Sequence, residues 1–211
     1  MEEHRLEVAR TARVLVAGDL RGAREVWIVV HGYAQSADEM LAQCAPLGRA
    51  ERALVAPEAL SRFYRRGSSG PVGASWTTRE HRELEIGDTT AYLERVAHWI
   101  HGQAASAPLQ LSLLGFSQGA ATVWRWATLG ATRFAQIVGC GGGFPPDLDW
   151  ASATEKLART RLATIHGVHD RYHTAEWVAR DVAAARAAGI GLEVREFEGR
   201  HELPADVLAS L

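Results

Sequence analysis

The sequence predicts an α/β domain in which a mainly parallel central sheet is flanked by helices. Segments with the apolar composition of strands alternate with segments of helical spacing, which is typical of parallel sheets with helical crossovers. Residues 25–30, Glu-Val-Trp-Ile-Val-Val, form a β-branched run of the kind that is buried on both faces of such a sheet. The length of 211 residues allows one substantial core, so we predict a single domain over residues 1–211.

Seven segments have the pattern of strands. The first lies at residues 14–16, at the end of an alternating stretch over 5–17 that could also be a hairpin. The others are residues 25–30, 53–56, 109–114, 137–140, 162–166 and 192–197. The run 53–56 stops at Pro57, because proline has no backbone N–H for a sheet hydrogen bond.

Helices are predicted between these strands. They cover residues 36–49, 77 or 78 to 101, 118–129, 152–159, 173–188 and 204–211. Ser36 suits the N-cap of the first helix, since its hydroxyl can accept a hydrogen bond from a free backbone N–H. Gly189 ends the helix that begins at His173.

Residues 58–75 are predicted to form the longest loop. The segment from 60 to 75 contains three glycines, one proline and four serines, and loops of this length are commonly functional.

Composition excludes several classes of partner. The chain has 23 basic and 25 acidic residues, a net charge of −2, and no basic cluster, which argues against nucleic-acid binding. It has no apolar run long enough for stable membrane insertion, and the first 14 residues lack the apolar core of a signal peptide. We therefore expect a cytoplasmic protein, with Cys44 and Cys140 as unpaired core thiols.

A Gly-Phe-Ser-Gln-Gly pentapeptide at residues 115–119 lies between the strand 109–114 and the helix that begins at Gln118. Glycines at both ends allow strand and helix to pass closely and leave Ser117 exposed at the apex of a strained turn. The backbone N–H of Gln118 lies at the helix N-terminus, where developing negative charge is favoured. Ser117 is therefore a candidate nucleophile.

A serine nucleophile needs a base and an acid that orients the base. Ligands gather at the carboxyl ends of parallel strands, so the partners should directly follow strands. Asp170 meets this requirement, and Asp147 and Asp149 are alternative acids after the preceding strand.

The base should follow the acid in the chain order Ser, Asp, His, which leaves His173 and His201. His173 is too close to Asp170 in sequence to bridge it to the serine. His201 follows the next strand and is the preferred base.

A second oxyanion donor is expected after the strand that ends at Val30. The backbone N–H of Tyr33 fits, because Gly32 permits close approach. His31 is expected to fix this loop through backbone hydrogen bonds.

A metal site is a weaker alternative, formed by four residues at and after the end of one strand: His166, His169, Asp170 and His173. They do not share one helix face, so we expect no metal and no cofactor. His98 and His101 are expected to face solvent or lie at its boundary.

Five features spread along the chain together resemble the phospholipase/carboxylesterase family of α/β-hydrolases, which includes acyl-protein thioesterases. They are HGY at 31–33, Pro57 followed by Trp76, GFSQG at 115–119, HGVHD at 166–170 and GRH at 199–201. The resemblance implies an α/β-hydrolase fold without a separate cap domain. It also implies Ser117 as nucleophile, Asp170 as acid, His201 as base, and the Tyr33 and Gln118 amides as oxyanion donors. The family commonly has glycine at the position of Ala34.

The predicted activity is hydrolysis of carboxylic esters with short to medium acyl chains. Phe63, Tyr64, Trp76 and Phe144 are the expected walls of the substrate pocket. The alternatives are a thioesterase or lysophospholipase for long acyl chains, and a non-catalytic binding scaffold. The partner is a small ester or thioester, and the composition also allows a homodimer.

Overall fold

The computed structural model describes residues 1–105 and 108–211. The strands found there are β1 (Val14–Ala17), β2 (Glu25–Val30), β3 (Arg52–Pro57), β4 (Ser61–Tyr64), β5 (Val72–Ser75), β6 (Gln110–Phe116), β7 (Gln136–Cys140), β8 (Arg161–Gly167) and β9 (Glu193–Phe197). The helices are α1 (Ala37–Gln43), α2 (Arg82–Gln103), α3 (Gln118–Leu129), α4 (Trp150–Leu157), α5 (Ala175–Ala187) and α6 (Ala205–Ala209). No helix in the described ranges is long and apolar enough to span a membrane.

Seven strands form one sheet in the order β1-β3-β2-β6-β7-β8-β9. Every neighbouring pair is parallel except β1 with β3, which confirms the predicted mainly parallel sheet. The carboxyl ends of parallel strands meet at one edge of a sheet, so the segments after β2, β6, β8 and β9 come together there.

Two apolar clusters fill the two faces of the sheet, and β2 contributes to both. Val26, Ile28 and Val30 belong to one cluster, whereas Trp27 and Val29 belong to the other, because successive side chains of a strand point to opposite faces. Residues of α2, α3, α4 and α5 complete the first cluster, and residues of α1 and α6 complete the second. No separate cap covers the sheet within the described ranges, as expected.

The prediction of an irregular loop over 58–75 is wrong in part. β4 and β5 pair in an antiparallel hairpin, from Ser61 opposite Ser75 to Tyr64 opposite Val72. Backbone hydrogen bonds connect Ala74 with Ala34 and Gln35, so the hairpin is fixed against the loop that follows β2. The high content of glycine and serine concealed these short strands.

Two helices, α1 and α2, differ most from the predicted bounds, and α4, α5 and α6 are shifted by at most two residues at either end. α2 begins at Arg82 rather than at 77 or 78, because His81 has a left-handed backbone with φ 50° and Glu85 accepts hydrogen bonds from the backbone and hydroxyl of Thr78. α1 ends at Gln43 and is followed by a 3₁₀ turn over Ala45–Leu47. Pro46 lies in that turn and cannot supply an N–H for a continuing α-helix.

Both cysteines are buried and unpaired, as predicted. Burial raises the pKa of the Cys44 and Cys140 thiols, so they stay protonated at neutral pH.

Candidate active site

Ser117 lies at a strained turn between β6 and α3. Its φ of 54° and ψ of −115° lie in a region that L-residues rarely adopt, and such strain costs on the order of 1–3 kcal/mol. Glycines permit the turn: a Cβ on Gly115 would overlap the backbone of Gly119, and a Cβ on Gly119 would overlap the carbonyl oxygen of Val30. The turn therefore holds the Ser117 hydroxyl above the end of the sheet.

Ser117, His201 and Asp170 form one chain of hydrogen bonds. The distance from His201 Nδ1 to Asp170 Oδ2 is 2.8 Å, and that from His201 Nε2 to Ser117 Oγ is 2.9 Å. The ionised carboxylate can only accept, so Nδ1 carries the hydrogen and Nε2 of the neutral ring accepts from the serine hydroxyl. This geometry allows proton transfer from Ser117 to His201.

Asp170 is the most firmly held of the three side chains. Its carboxylate is fully buried, and Oδ1 accepts hydrogen bonds from the backbone N–H groups of Tyr172 and His173. Burial acts to raise the pKa of Asp170, but hydrogen bonds from His173, His201 and Tyr172 outweigh it and hold this pKa below its usual value. The carboxylate is therefore ionised at neutral pH.

The loop after β2 lies directly against Ser117. A Cβ on Gly32 would be 3.2 Å from the Cβ of Ser117, so only glycine fits without displacement. In the described part of the chain, the backbone N–H groups of Tyr33 and Gln118 have no protein acceptor in their turns. Both N–H groups are thus available to a bound oxyanion.

His31 supports this loop from inside the protein. Its Nδ1 donates to the Gly32 carbonyl oxygen at 2.7 Å, and its Nε2 accepts from the Ala59 N–H at 3.0 Å. The ring is fully buried, and burial lowers its pKa, so it stays neutral. This is the backbone-fixing role that the sequence predicts for His31.

The prediction that Trp76 lines the pocket is wrong. Trp76 is 3% exposed, lies in the core, and donates from Nε1 to the His31 carbonyl oxygen at 2.8 Å. Its backbone N–H is held by the side chain of Gln118, which also donates to the Thr77 carbonyl oxygen. Trp76 and Gln118 therefore tie the end of β5 to the turn at Ser117.

An open cleft of about 560 Å³ begins beside the catalytic candidates: its lining includes Gln118, which follows Ser117, and Gly141, on which a Cβ would be 3.1 Å from the His201 ring. Phe144 belongs to its lining, although its ring packs mainly between Trp124 and Trp150. Phe63 and Tyr64 lie outside this lining, on the hairpin, where Phe63 packs on Tyr33 at a ring distance of 5.3 Å. The sequence predicts all three side chains in one pocket, whereas the structure places Phe63 and Tyr64 outside this cleft, on the β4-β5 hairpin.

The alternative acids and base have other contacts. Asp147 binds the guanidinium of Arg125 through both oxygens, and Asp149 caps α4. The His173 ring is buried, and only its backbone N–H contacts Asp170.

The four residues of the alternative metal site do not converge. His169 turns outward to Glu198, whereas His166 and His173 are buried with ring centroids 5.6 Å apart. Among the residues that the structure describes, no three His, Cys, Asp or Glu side chains form a group suited to a metal. His98 and His101 are exposed.

Three arginines of the cleft were not singled out from the sequence: Arg79, Arg82 and Arg125. Arg125 lies seven residues after Gln118 on α3, and this helical spacing was the available signal. Arg79 and Arg82 reach the cleft only because α2 begins late.

The parallel sheet, the strand–turn–helix at Ser117 and the order of the residues that follow β6, β8 and β9 define an α/β-hydrolase. The sequence matches the phospholipase/carboxylesterase family over residues 15–211, so the chain belongs to that family, which confirms the resemblance. Family and fold indicate a hydrolase of ester or thioester bonds.

Solved structures show the same fold at low sequence identity. Acyl-protein thioesterase 2 of Zea mays matches with a TM-score of 0.74 and 17% identity, over 95% of this chain and 97% of that chain. Esterase PE8 has a TM-score of 0.71 and 18% identity, over 95% and 96%. A phospholipase/carboxylesterase from Dyadobacter fermentans has a TM-score of 0.64 and 16% identity, over 97% of each chain. The comparison with curated proteins found no match.

Proposed function

We propose that the protein is a serine hydrolase that cleaves carboxylic esters of short to medium acyl chains through an acyl-serine intermediate. The observation that carries this proposal is the continuous hydrogen-bond chain from Ser117 Oγ through His201 to Asp170, with distances of 2.9 and 2.8 Å. This chain joins a nucleophile, a base and an acid that come from separate segments after β6, β9 and β8.

The reaction proceeds in two halves. His201 Nε2 removes the hydroxyl proton as Ser117 Oγ attacks the acyl carbonyl, and the imidazolium then protonates the leaving alcohol. Water attacks the acyl-serine with His201 again as base, which releases the acid and restores the serine. Asp170 keeps the imidazole in the required tautomer and stabilises its charged form.

Negative charge on the carbonyl oxygen is met by the backbone N–H groups of Tyr33 and Gln118. Loss of one such donor typically costs about 3 kcal/mol of transition-state stabilisation. The close approach of Gly32 to Ser117 and the position of Gln118 at the start of α3 support these roles. These steps require no metal or cofactor.

The size of the acyl group follows from the open cleft. Its lining combines Phe144, Pro145 and Pro146 with three arginines, and this mixed lining supports a short or medium acyl chain over a long apolar one. A long-chain thioesterase or lysophospholipase is the second candidate, favoured by the likeness to a structure described as an acyl-protein thioesterase. Cytoplasmic residence fits the unpaired cysteines, and the single domain and homodimer stay predictions.

The test is a screen of p-nitrophenyl esters from acetate to palmitate, with an acyl thioester in parallel. We expect highest kcat/KM on the shorter esters, and we expect Ser117→Ala to lose both activity and labelling by a fluorophosphonate probe. Preference for palmitate or the thioester would favour the second candidate. A Ser117→Ala protein that still labels, or a folded wild type that neither labels nor hydrolyses, would overturn the proposal and favour a binding scaffold.

A further inference from the structure

A groove leads away from Ser117 along α3. Gln118, Ala121 and Arg125 line it at spacings of three and four residues, so they lie on one face of the helix. Seven residues of α-helix span roughly 10 Å, and this is the distance along the helix from the start of α3 to Arg125. The small side chain of Ala121 leaves the middle of the groove open.

The opposite wall of the groove is continuous with the site. It is the segment after β7, in which a Cβ on Gly141 would be 3.1 Å from the His201 ring and a Cβ on Gly142 would be 2.5 Å from the Ser117 carbonyl oxygen. The same wall continues to Pro145 and Pro146. A substrate with its carbonyl at Ser117 can therefore extend one of its ends into this groove.

The lining of the groove has an excess of positive charge from Arg79, Arg82 and Arg125. Arg125 binds Asp147 at 2.8 and 2.6 Å, and Arg82 lies 3.3 Å from the same carboxylate, so one acid is shared by two guanidinium groups. Within the described ranges, Arg79 has no carboxylate partner, and no acidic residue belongs to the lining of the groove. On the neighbouring turn of α2, Glu85 is occupied by hydrogen bonds from Thr78.

The accessibility of these cations suits a bound ligand. The side chain of Arg125 is 7% exposed and is held by Asp147 through Nε and Nη2, whereas that of Arg82 is 40% exposed and bonded at one nitrogen. Arg79 is exposed at the lip of the groove. Arg79 and Arg82 thus retain free N–H donors, and a guanidinium pairs well with a carboxylate.

We propose that this groove selects esters that carry a carboxylate several bonds from the scissile bond, and that Arg79 and Arg82 bind that carboxylate. The inference rests on the proposed ester hydrolysis and adds the charge of the substrate to it. The space left by the small Ala121 side chain, between Gln118 and Arg125, accommodates the methylene chain between the two ends. A neutral chain of equal length leaves the guanidinium groups without a partner and gains less on binding.

The test compares charged and neutral esters of matched shape. Ethyl hydrogen adipate carries the carboxylate on the acyl side and is paired with ethyl hexanoate. The acetyl ester of ω-hydroxyhexanoate carries it on the alcohol side and is paired with hexyl acetate. For wild type we expect kcat/KM for the charged ester to be about tenfold higher in at least one pair, mainly through KM, which corresponds to about 1.4 kcal/mol. The pair with the larger ratio identifies which side of the ester enters the groove.

Arginine variants assign the preference to the groove. We expect Arg79→Gln and Arg82→Gln to bring the ratio of charged to neutral kcat/KM towards one, and Arg79→Glu to bring it below one. Arg161→Gln is the matched control, because Arg161 is exposed at the start of β8, the opposite edge of the sheet from the site. Added salt should lower the ratio for wild type, since exposed charges are screened.

The outcomes are distinct. An active, Ser117-dependent wild type with equal kcat/KM for charged and neutral esters would overturn the inference and leave the proposed function intact. A ratio that Arg79→Glu and Arg82→Gln leave unchanged, in proteins with wild-type thermal unfolding, would also overturn it. A folded wild type inactive on every ester and unlabelled by the fluorophosphonate would overturn the proposed function, and the inference with it.

Discussion

Asp170 illustrates how single residues set up the site, because its two oxygens serve different partners. Oδ2 accepts from His201, while Oδ1 accepts from two backbone N–H groups. The Oδ1 contacts fix the direction of the carboxylate, so the Oδ2 contact can select the tautomer of the imidazole.

Asp170→Asn separates these two duties. The amide oxygen can still accept from the Tyr172 and His173 N–H groups, but an amide nitrogen facing His201 Nδ1 favours the wrong tautomer. We expect kcat to fall about 10³- to 10⁴-fold with little change in KM. Steady-state kinetics with thermal unfolding as the fold control checks this; a loss below tenfold in a folded variant would exclude Asp170 as the orienting acid.

The backbone of Ala34 is in a conformation that is unfavourable for alanine. It has a φ of 63°, in the left-handed region that favours glycine. Relief of this strain in Ala34→Gly is partly offset by the greater conformational freedom of glycine in the unfolded chain. We expect a net increase of about 0.5–1 kcal/mol in the free energy of unfolding. Urea unfolding measures this, and a lower unfolding midpoint for the variant would show that the left-handed backbone carries no strain.

The candidate site could be predicted from the sequence because its residues follow the ends of strands. Ser117, Asp170 and His201 come directly after β6, β8 and β9, so a rule about parallel sheets brings them together. The direction of the Trp76 side chain could not be predicted, because the sequence does not indicate whether an aromatic residue in a loop faces a cleft or the core. The groove arginines meet only through tertiary packing of α2 against α3, which no local pattern encodes.

At the scale of elements, the hairpin β4-β5 supports the loop that carries Tyr33. Ala34 donates to the Ala74 carbonyl oxygen at 2.9 Å, and Ala74 donates back to the Gln35 carbonyl oxygen at 3.1 Å. A Cβ on Gly73 would overlap the backbone of Ala34. The hairpin therefore holds the loop after β2 in position, and it also borders the site through Phe63.

Gly73→Ala tests whether the contact between the hairpin and the loop after β2 is needed for activity. The added methyl group forces the hairpin and the loop after β2 apart, which displaces the Tyr33 N–H from its place near Ser117. We expect kcat to fall roughly 10- to 100-fold, the range that small misplacements of reacting groups produce. Val72→Ala is the control, because Val72 is its neighbour and is 43% exposed. Equal activities of the two variants would show that the hairpin has no part in catalysis.

For the whole molecule, sequence periodicity identified the layers and the parallel sheet but not the order of its strands. The apolar run of β2 indicates burial on both faces, and packing on both faces confirms it. The position of β3 between β1 and β2, and the antiparallel β1, depend on how long loops close, and the strand sequences do not determine this.

Stability in acid depends on a contact between α3 and the segment after β7. Hydrogen bonds from Arg125 lower the pKa of Asp147 to about 2, from an ordinary value of 3.8. Because the folded pKa is the lower one, this contact stabilises the fold above about pH 4, and the contribution is lost as pH falls towards 2. We expect Asp147→Asn to lower the urea midpoint at pH 7 and to flatten its decline between pH 4 and 2.

The matched control for this prediction is Asp149→Asn, which changes a fully exposed helix cap two residues away. Asp149→Asn should change the decline of the urea midpoint between pH 4 and 2 far less than Asp147→Asn does. Identical pH profiles for wild type and Asp147→Asn would show that the Arg125 contact does not contribute.

β9 is one of the two edge strands of the sheet and pairs there with β8, and all five of its residues are exposed or half-exposed. His201 follows β9, so the proposed base is attached to an edge of the sheet, where a strand has one neighbour instead of two. On warming, we expect catalytic activity to be lost at a lower temperature than global unfolding. Detachment of β9 alone would displace the proposed base while the other strands of the sheet stay paired. His201 is also the last of the three proposed catalytic residues to be synthesised, so Ser117 has no base beside it until the last strand of the sheet has formed.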